Sequence, residues 1–407
     1  MKILIPSHCL EFTGEVQQVL LLAQMQGFYI SDIELGVSPT QFIELVDRQT
    51  SRIFSNLFNL DNEEPQKSFL DLSYGVEPNA SISSSSVSIG VIQSGRLVDC
   101  WQHLGVDTHL VDQYASSKTA YSDVESWRHF AWVVSCLALD FPLEDALVLS
   151  RAAMNVSRET WPTQFENFPT IEQQSVPVQS IQFARLNKQS LGLYPVVDSV
   201  EWVERLLNLG ITTLQIRIKD PTQNDLEKQI AKAIELGKQF KAQVFINDYW
   251  QLALKHKAFG VHLGQEDVLE ADLDEIADSG LALGLSTHGY FELLRIHQLS
   301  PSYIALGHIF PTTTKQMPSK PQGLVRLGLY QKLLDSMPYG DAIGVPSVAI
   351  GGIDLSNIEQ VAKQGVNSIA VVRAITQATN VTKAVSELTT KLNQSSLNKK
   401  EAFDVIG

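Results

Sequence analysis

Cysteine is scarce in this 407-residue chain: Cys9, Cys100 and Cys136 are the only three, all in the first half and far apart. Their spacing fits neither a zinc ligand set nor a disulfide framework, and a reduced, intracellular protein is expected. Long apolar runs are missing too. No stretch approaches the roughly eighteen apolar residues that a membrane-spanning helix needs. The first residues, MKILIPSHCLEFTGE, hold one Lys and a short apolar stretch, too weak for a secretory signal. No membrane association and a cytoplasmic location are expected. Positive charge is thin in residues 1–180, where 9 Lys and Arg face 22 Asp and Glu. A phosphate backbone needs cations, so this balance argues against nucleic-acid binding by this half. The rest of the chain is close to neutral, with 22 Lys and Arg against 23 Asp and Glu. Its few clustered cations therefore stand out.

The two halves differ in pattern. From Leu191 onward short apolar runs alternate with amphipathic stretches. The runs are LGLYPVV (from 191), TTLQIRI (from 212), QVFIND (from 243), FGVHLG (from 259), ALGLST (from 282), YIALGHI (from 303), SVAIGG (from 347) and SIAVV (from 368). Helix-like segments such as Ser199–Leu209, Leu226–Phe240, Tyr290–Gln298 and Ser356–Gln364 lie between them. Alternating β and α elements imply parallel strands with helical crossovers. Eight such units in about 200 residues predict a (β/α)8 TIM barrel, with an open doubly wound sheet as the alternative. The polar segment Gln173–Ser190 reads as a linker. The expected organisation is an N-terminal α/β domain over 1–172, a linker over 173–190, the barrel over 191–393 and a tail over 394–407. In the first half, helices are expected at Glu15–Gln26, Arg128–Leu139 and Leu143–Asn155. Ser83–Ser86 reads as a polar turn or a phosphate nest.

The candidate functional residues sit at the C-terminal ends of the apolar runs, where barrel active sites lie. In Gln215–Lys219, alternation puts Leu214, Ile216 and Ile218 on one face and Gln215, Arg217 and Lys219 on the other. A face carrying a guanidinium and an ammonium cannot be buried dry. It meets an anion, or else it forms a surface ion pair at a strand end. Asn247 and Asp248 end the third run, and Asp267 follows the fourth. Two carboxylates on adjacent barrel strands can converge on one Mg²⁺, which completes its shell with water and phosphate oxygens; alternatively each caps the helix that follows. Ser286 can hydrogen-bond a leaving phosphate. His288 is either a structural or an acid–base group, and His262 belongs to an interior hydrogen-bond network.

Thr312, Thr313, Thr314 and Lys315 open the longest loop of the domain, which reads as a lid over a phosphorylated ligand. Gly351 and Gly352 end the seventh run, and Val372 and Arg373 follow the eighth; together they suit a backbone phosphate cradle. Two phosphate sites result. One is a Mg²⁺-assisted diphosphate site of Arg217, Lys219, Asn247, Asp248, Asp267, Ser286 and Lys315. The other is a monophosphate site of Gly351, Gly352, Val372 and Arg373 with the threonines. A metal-bound diphosphate is a leaving group, so a second phosphorylated substrate beside it implies a transferase acting on small molecules.

These stretches resemble the thiamine phosphate synthase family across residues 191–393. The resemblance is carried by QIRIK (215–219), ND (247–248), GVHLGQED (260–267), GLSTH (284–288), GHIFPTTTK (307–315), AIGGI (349–353) and AVVRAI (370–375). It implies the joining of 4-amino-5-hydroxymethyl-2-methylpyrimidine diphosphate to 4-methyl-5-hydroxyethylthiazole phosphate. It also implies that the run Gln215, Ile216, Arg217, Ile218 and Lys219 contacts the pyrimidine diphosphate, with Gln215 orienting the ring. Lys219, Ser286 and Lys315 are then catalytic, and Asp248 and Asp267 hold one Mg²⁺. The chain departs from the family at Ile218, where Glu is common, and at Arg373, where a small or neutral residue is usual.

A fainter resemblance covers the first half. Gly90-Val91-Ile92, Gly95-Arg96-Leu97-Val98 and Phe141–Ala146 are similar to parts of hydroxymethylpyrimidine kinase, a ribokinase-like fold. Counting from Pro142, that family's Gly-x-Gly anion hole falls on Val124-Glu125-Ser126, and its catalytic position falls on Trp127. Bulky and acidic residues cannot form a backbone cradle. The resemblance therefore implies a degenerate, truncated, non-catalytic domain. Such a domain could carry oligomerisation or contact with another thiamine-pathway enzyme.

Overall fold

A computed structural model describes residues 1–58, 70–77, 85–111, 120–173, 182–312 and 320–404, with side chains described as far as residue 394. The chain divides into two compact units, Met1–Pro177 and Val178–Gly407.

The first unit is built on a nine-stranded mixed sheet. Its strands are β1 (Lys2–Pro6), β2 (Glu34–Ser38), β3 (Ile43–Val46), β4 (Thr50–Ser55), β5 (Leu70–Tyr74), β6 (Ser86–Gln93), β7 (Arg96–His103), β8 (Val106–Val111) and β9 (Thr170–Gln173). They lie in the order β2-β1-β3-β4-β5-β6-β7-β8-β9. The β1–β2, β4–β5 and β5–β6 pairs are parallel and the others antiparallel. Ser94-Gly95 and Leu104-Gly105 have positive φ at both positions, which makes the two tight hairpin turns around β7.

The helices of this unit are α1 (Phe12–Met25), α2 (Asp123–Ala138) and α3 (Leu143–Ala153). Ser122 and Glu125 form a reciprocal capping box that starts α2. Phe12, Phe58, Trp127 and Phe130 stack into one aromatic cluster. A buried ion pair crosses the unit: Arg151 of α3 grips Asp99 of β7 through Nε (3.0 Å) and Nη2 (2.7 Å).

The second unit is a closed eight-stranded parallel barrel, which excludes the open-sheet alternative. Its elements alternate as the apolar runs predict. They begin β10 (Leu193–Val197), α4 (Val200–Asn208), β11 (Thr213–Ile216), α5 (Leu226–Phe240), β12 (Gln243–Asn247), α6 (Trp250–Lys255) and β13 (Gly260–Leu263). Next come α7 (Asp267–Glu270), α8 (Leu273–Asp278), β14 (Ala282–Thr287), α9 (Tyr290–His297), β15 (Tyr303–Gly307) and α10 (Gly323–Ser336). A small hairpin of β16 (Pro338–Tyr339) and β17 (Ala342–Ile343) follows. Last are β18 (Ser347–Ile350), α11 (Ile358–Lys363), β19 (Ser368–Val371), α12 (Arg373–Thr376) and α13 (Val381–Asp404). β19 pairs back onto β10, Leu193 opposite Ile369, and closes the ring.

Strands buried on both faces read as near-continuous apolar runs, which is why these eight were legible. The crossover helices bury one stripe each, as α4 does with Val203, Leu206 and Leu207. Alternate positions on the strands fill the interior with Tyr194, Val196, Phe245, Tyr303, Ala305, Val348 and Ala370. Gly284 makes room for the Tyr303 ring: a Cβ there would lie 2.2 Å from its Cζ.

The domain limits differ from the sequence expectation. Gln173 belongs to β9. Residues 182–190 belong to the barrel unit: Phe183 and Leu186 are buried, and Leu186 joins the barrel core. Its amide donates to the Tyr339 hydroxyl at 2.7 Å. Polar composition hid these two apolar anchors. At the other end α13 runs past residue 393 to Asp404, so the expected tail continues a helix. Part of the expected linker, 174–181, lies outside the described residues, as do Ser83 and Ser84 of the serine turn.

Candidate active site

A cavity of about 700 Å³ opens at the C-terminal ends of the barrel strands. Every strand contributes to it, because parallel strands deliver all their C-termini to one face. Gln215, Arg217, Lys219, Asn247, Asp248, Asp267, Ser286, Thr312, Gly351, Gly352, Val372 and Arg373 all line it. Thr313, Thr314 and Lys315, with the expected lid, lie outside the described residues.

The run after β11 behaves as its alternation predicts, although the strand itself stops at Ile216. The Arg217 amide donates to Val197 O at 2.7 Å and continues the ladder by one bond. Gln215, Arg217 and Lys219 therefore face the cavity. Ile216 and Ile218 do not line it; their side chains are buried on the opposite face. The Tyr249 hydroxyl donates to Ile218 O at 3.0 Å and ties this loop to the one after β12.

Asp248 has φ +63°, a left-handed conformation that Asp tolerates better than most residues. Its amide donates to His262 O at 3.0 Å, fixing it against β13. Burial and the Asp248 carboxylate raise the pKa of the neighbouring Tyr249 phenol. Asp267 begins α7, and its Oδ2 accepts the Gly264 amide at 3.1 Å. Among the described residues no group of three or more His, Cys, Asp or Glu is arranged to hold a metal. Two carboxylates in one cavity with cations suit Mg²⁺, which keeps several water and phosphate ligands.

Ser286 Oγ lies 2.8 Å from His262 Nε2, and His262 Nδ1 lies 2.8 Å from the Tyr303 hydroxyl. His262 is thus part of an interior network, as expected. Gln265 donates to Ser286 O and accepts from Arg295, bracing the fifth strand end. His288 is held by Glu292, whose Oε2 accepts its amide at 2.7 Å and faces its Nδ1 at 2.9 Å. His308, which also lines the cavity, is nearly buried; burial first, and then the charge of His288, push its pKa below the usual range.

On the far side, Gly351 and Gly352 have φ of +106° and +66°. A Cβ on Gly351 would lie 2.4 Å from His308 Cβ, and one on Gly352 2.7 Å from Phe310 Cβ. These glycines let the loop after β18 pack against the loop after β15. Val372 caps the short helix α12, which begins at Arg373. The first-turn amides of a helix have no acceptor within it.

Sequence reasoning missed Gln265, His308, Tyr194 and Tyr303. Gln265 and His308 lay inside quoted motifs, but nothing in their pattern showed where their side chains point. The tyrosines look like ordinary strand residues.

In the first unit, the supposed anion hole Val124–Ser126 is the first turn of α2. Two of its amides are bonded to Ser122: Glu125 N donates to the capping Oγ (3.3 Å), and Ser126 N makes the first helical bond, to Ser122 O (2.9 Å). Trp127 belongs to the aromatic cluster.

A closed parallel barrel with cations, two carboxylates and a glycine-ended seventh strand at its C-terminal mouth defines a phosphate-handling (β/α)8 enzyme. Comparison with known proteins narrows this. The family described as thiamine monophosphate synthase matches residues 193–375. The thiamine-phosphate synthase of Proteus mirabilis is 57% identical over 193 residues, which is 47% of this chain and 86% of that protein. The Cronobacter sakazakii enzyme of the same name is 59% identical over 188 residues, 46% of this chain and 86% of that one. Among solved structures, thiamine phosphate pyrophosphorylase from Pyrococcus furiosus is 30% identical, covers 51% of this chain and 98% of its own, and superposes with a TM-score of 0.44. The chain belongs to the thiamine-phosphate synthase family, and its barrel unit carries the resemblance.

Proposed function

We propose that the barrel joins 4-amino-5-hydroxymethyl-2-methylpyrimidine diphosphate to 4-methyl-5-hydroxyethylthiazole phosphate, forming thiamine phosphate and releasing pyrophosphate. The carrying observation is that Arg217, Lys219, Asn247, Asp248, Asp267 and Ser286 share one cavity with Gly351, Gly352, Val372 and Arg373. One cavity lined by both sets supports the reading of a diphosphate subsite beside a monophosphate subsite.

The bond from the pyrimidine methylene carbon to the diphosphate oxygen breaks, and its electron pair leaves with the oxygen. The 4-amino group donates electron density into the ring and stabilises the resulting cation. The thiazole nitrogen then donates its lone pair to the methylene carbon. No protein nucleophile is needed. Arg217 and Lys219 bind the oxygens on which charge develops, and Ser286 donates a hydrogen bond to them. Asp248 and Asp267 are the residues that would hold Mg²⁺, which neutralises leaving-group charge when bound. Gln215, its amide nitrogen turned to Tyr194 at 3.3 Å, offers its carbonyl oxygen to the 4-amino group. The glycines and the start of α12 hold the thiazole phosphate.

An electrostatic donor of this kind contributes on the order of 3 kcal/mol to the transition state. Lys219→Ala is therefore expected to lower kcat about 100-fold while the protein stays folded. Wild-type turnover in that variant would refute the diphosphate assignment.

We assign no phosphoryl transfer to the first unit, because the Glu125 and Ser126 amides at the start of α2 are bonded to Ser122. Its exposed Leu21 and Met25, one turn apart on α1, support a role in contact with a second copy or another thiamine-pathway enzyme. Three free cysteines, all buried, support a reducing, cytoplasmic setting. No helix among the described residues is long and apolar enough to cross a membrane.

A further inference from the structure

Beneath the cavity runs an unbroken chain of hydrogen bonds. Gln215 Nε2 is 3.3 Å from the Tyr194 hydroxyl, which is 2.8 Å from the Tyr303 hydroxyl. Tyr303 reaches His262 Nδ1 at 2.8 Å, and His262 Nε2 reaches Ser286 Oγ at 2.8 Å. Tyr194 and Tyr303 are 1% and 0% exposed, so a hydroxyl hydrogen without an acceptor would be costly there.

Counting donors sets the direction of the chain. An amide NH₂ can only donate, so Tyr194 oxygen accepts from Gln215. If Tyr303 also donated to Tyr194, the Tyr194 hydrogen would have no acceptor in the chain. Tyr194 therefore donates to Tyr303. If His262 carried its hydrogen on Nδ1 and gave it to Tyr303, the Tyr303 hydrogen would in turn be stranded. Tyr303 therefore donates to Nδ1. His262 then carries its hydrogen on Nε2 and gives it to Ser286 Oγ. The Ser286 hydrogen is left to point into the cavity.

We propose that Tyr303 is a positioning residue for the reaction: through the tautomer of His262 it makes Ser286 a hydrogen-bond donor toward the bound anion. This rests on the reading of Ser286 as a diphosphate contact. In the opposite tautomer, Nε2 would take the Ser286 hydrogen and leave lone pairs facing a polyanion. The ring of Tyr303 is held independently of its hydroxyl. It stacks on His262 (centroids 5.6 Å, planes 19° apart) and meets Phe245 edge-on at 5.2 Å. It also occupies the space that Gly284 leaves. Tyr303→Phe thus removes the hydroxyl and keeps the seat.

The test uses the full chain with ¹⁵N-labelled histidine and three variants: Tyr303→Phe, Ser286→Ala and the double variant. In the wild type, His262 is expected as a single tautomer, protonated on Nε2, by ¹⁵N chemical shift. In Tyr303→Phe that preference is lost. The kcat/KM for the pyrimidine diphosphate is expected to fall about tenfold, the size of one hydrogen bond's net contribution. KM for the thiazole phosphate stays unchanged. On the Ser286→Ala background, Tyr303→Phe is expected to cause no further loss. An unchanged His262 tautomer in Tyr303→Phe, or a tenfold loss that multiplies with that of Ser286→Ala, overturns the proposal. A wild-type rate in Ser286→Ala overturns the diphosphate reading itself, and the positioning role with it.

Discussion

Replacing Gly351 with Ala puts a methyl group into the tightest contact of the barrel mouth. At φ +106° an L-residue is strained, by about 1–2 kcal/mol. The new Cβ would also lie 2.4 Å from His308 Cβ and 2.6 Å from His308 Cα. The Cα is main chain and cannot rotate aside, so one of the two loops must move. Strain and displacement together amount to at least about 2 kcal/mol, which converts to roughly a 30-fold change in an equilibrium constant. Both loops line the cavity where the proposed monophosphate subsite lies. KM for the thiazole phosphate should therefore rise about 30-fold at saturating pyrimidine diphosphate, with KM for the diphosphate nearly constant. Steady-state kinetics on both substrates measures this, and a thermal melt registers any strain the fold absorbs instead. A variant with wild-type melting temperature and wild-type KM for both substrates would refute the reasoning.

Two further outcomes follow from particular contacts. A chain of residues 182–407 keeps Phe183 and Leu186 under the barrel, whereas 191–407 loses them; at about 1.5–3 kcal/mol for each buried apolar side chain, the shorter chain should melt roughly 10 °C lower, and equal melting temperatures would show that these residues do not anchor the barrel. Burial, and then the charge of Arg151, holds His129 well below the usual pKa of 6.5, so the folded first unit takes up fewer protons than the unfolded one. Its stability should be unaffected by this group above pH 6.5 and fall below it, by up to about 1.4 kcal/mol per pH unit, as far as the folded-state pKa. Denaturation at pH 7.5 and pH 5 should show a shallower acid loss in His129→Gln; identical pH slopes would contradict the assignment.

The barrel was legible because its strands are buried on both faces and its site residues end those strands. The alternation through Gln215–Lys219 told which side chains face the cavity, although the strand itself closes at Ile216. The same alternation turned Ile216 and Ile218 away from the cavity, where both are buried. Gly351 and Gly352 read as a close approach to phosphate, and they also answer a packing demand from His308 and Phe310 that no local pattern encodes. Tyr194 and Tyr303 were silent because an interior hydrogen-bonding tyrosine and a packing tyrosine look alike in a strand. The first unit was least legible: its helices follow from periodicity, but the mixed strand order depends on long-range pairing. The linker reading failed at Leu186 because one anchor in a polar segment carries little compositional signal.

The central claim is that Asp248 and Asp267 hold a divalent cation on the departing diphosphate. The most direct measurement is pyrophosphate and thiamine phosphate release by wild type and Asp248→Ala across a Mg²⁺ titration after chelation. The account predicts equimolar products from the wild type, no turnover without metal, and near-complete loss in Asp248→Ala that high Mg²⁺ does not fully restore. Metal-independent turnover, or an Asp248→Ala variant with the wild-type Mg²⁺ response, would contradict it.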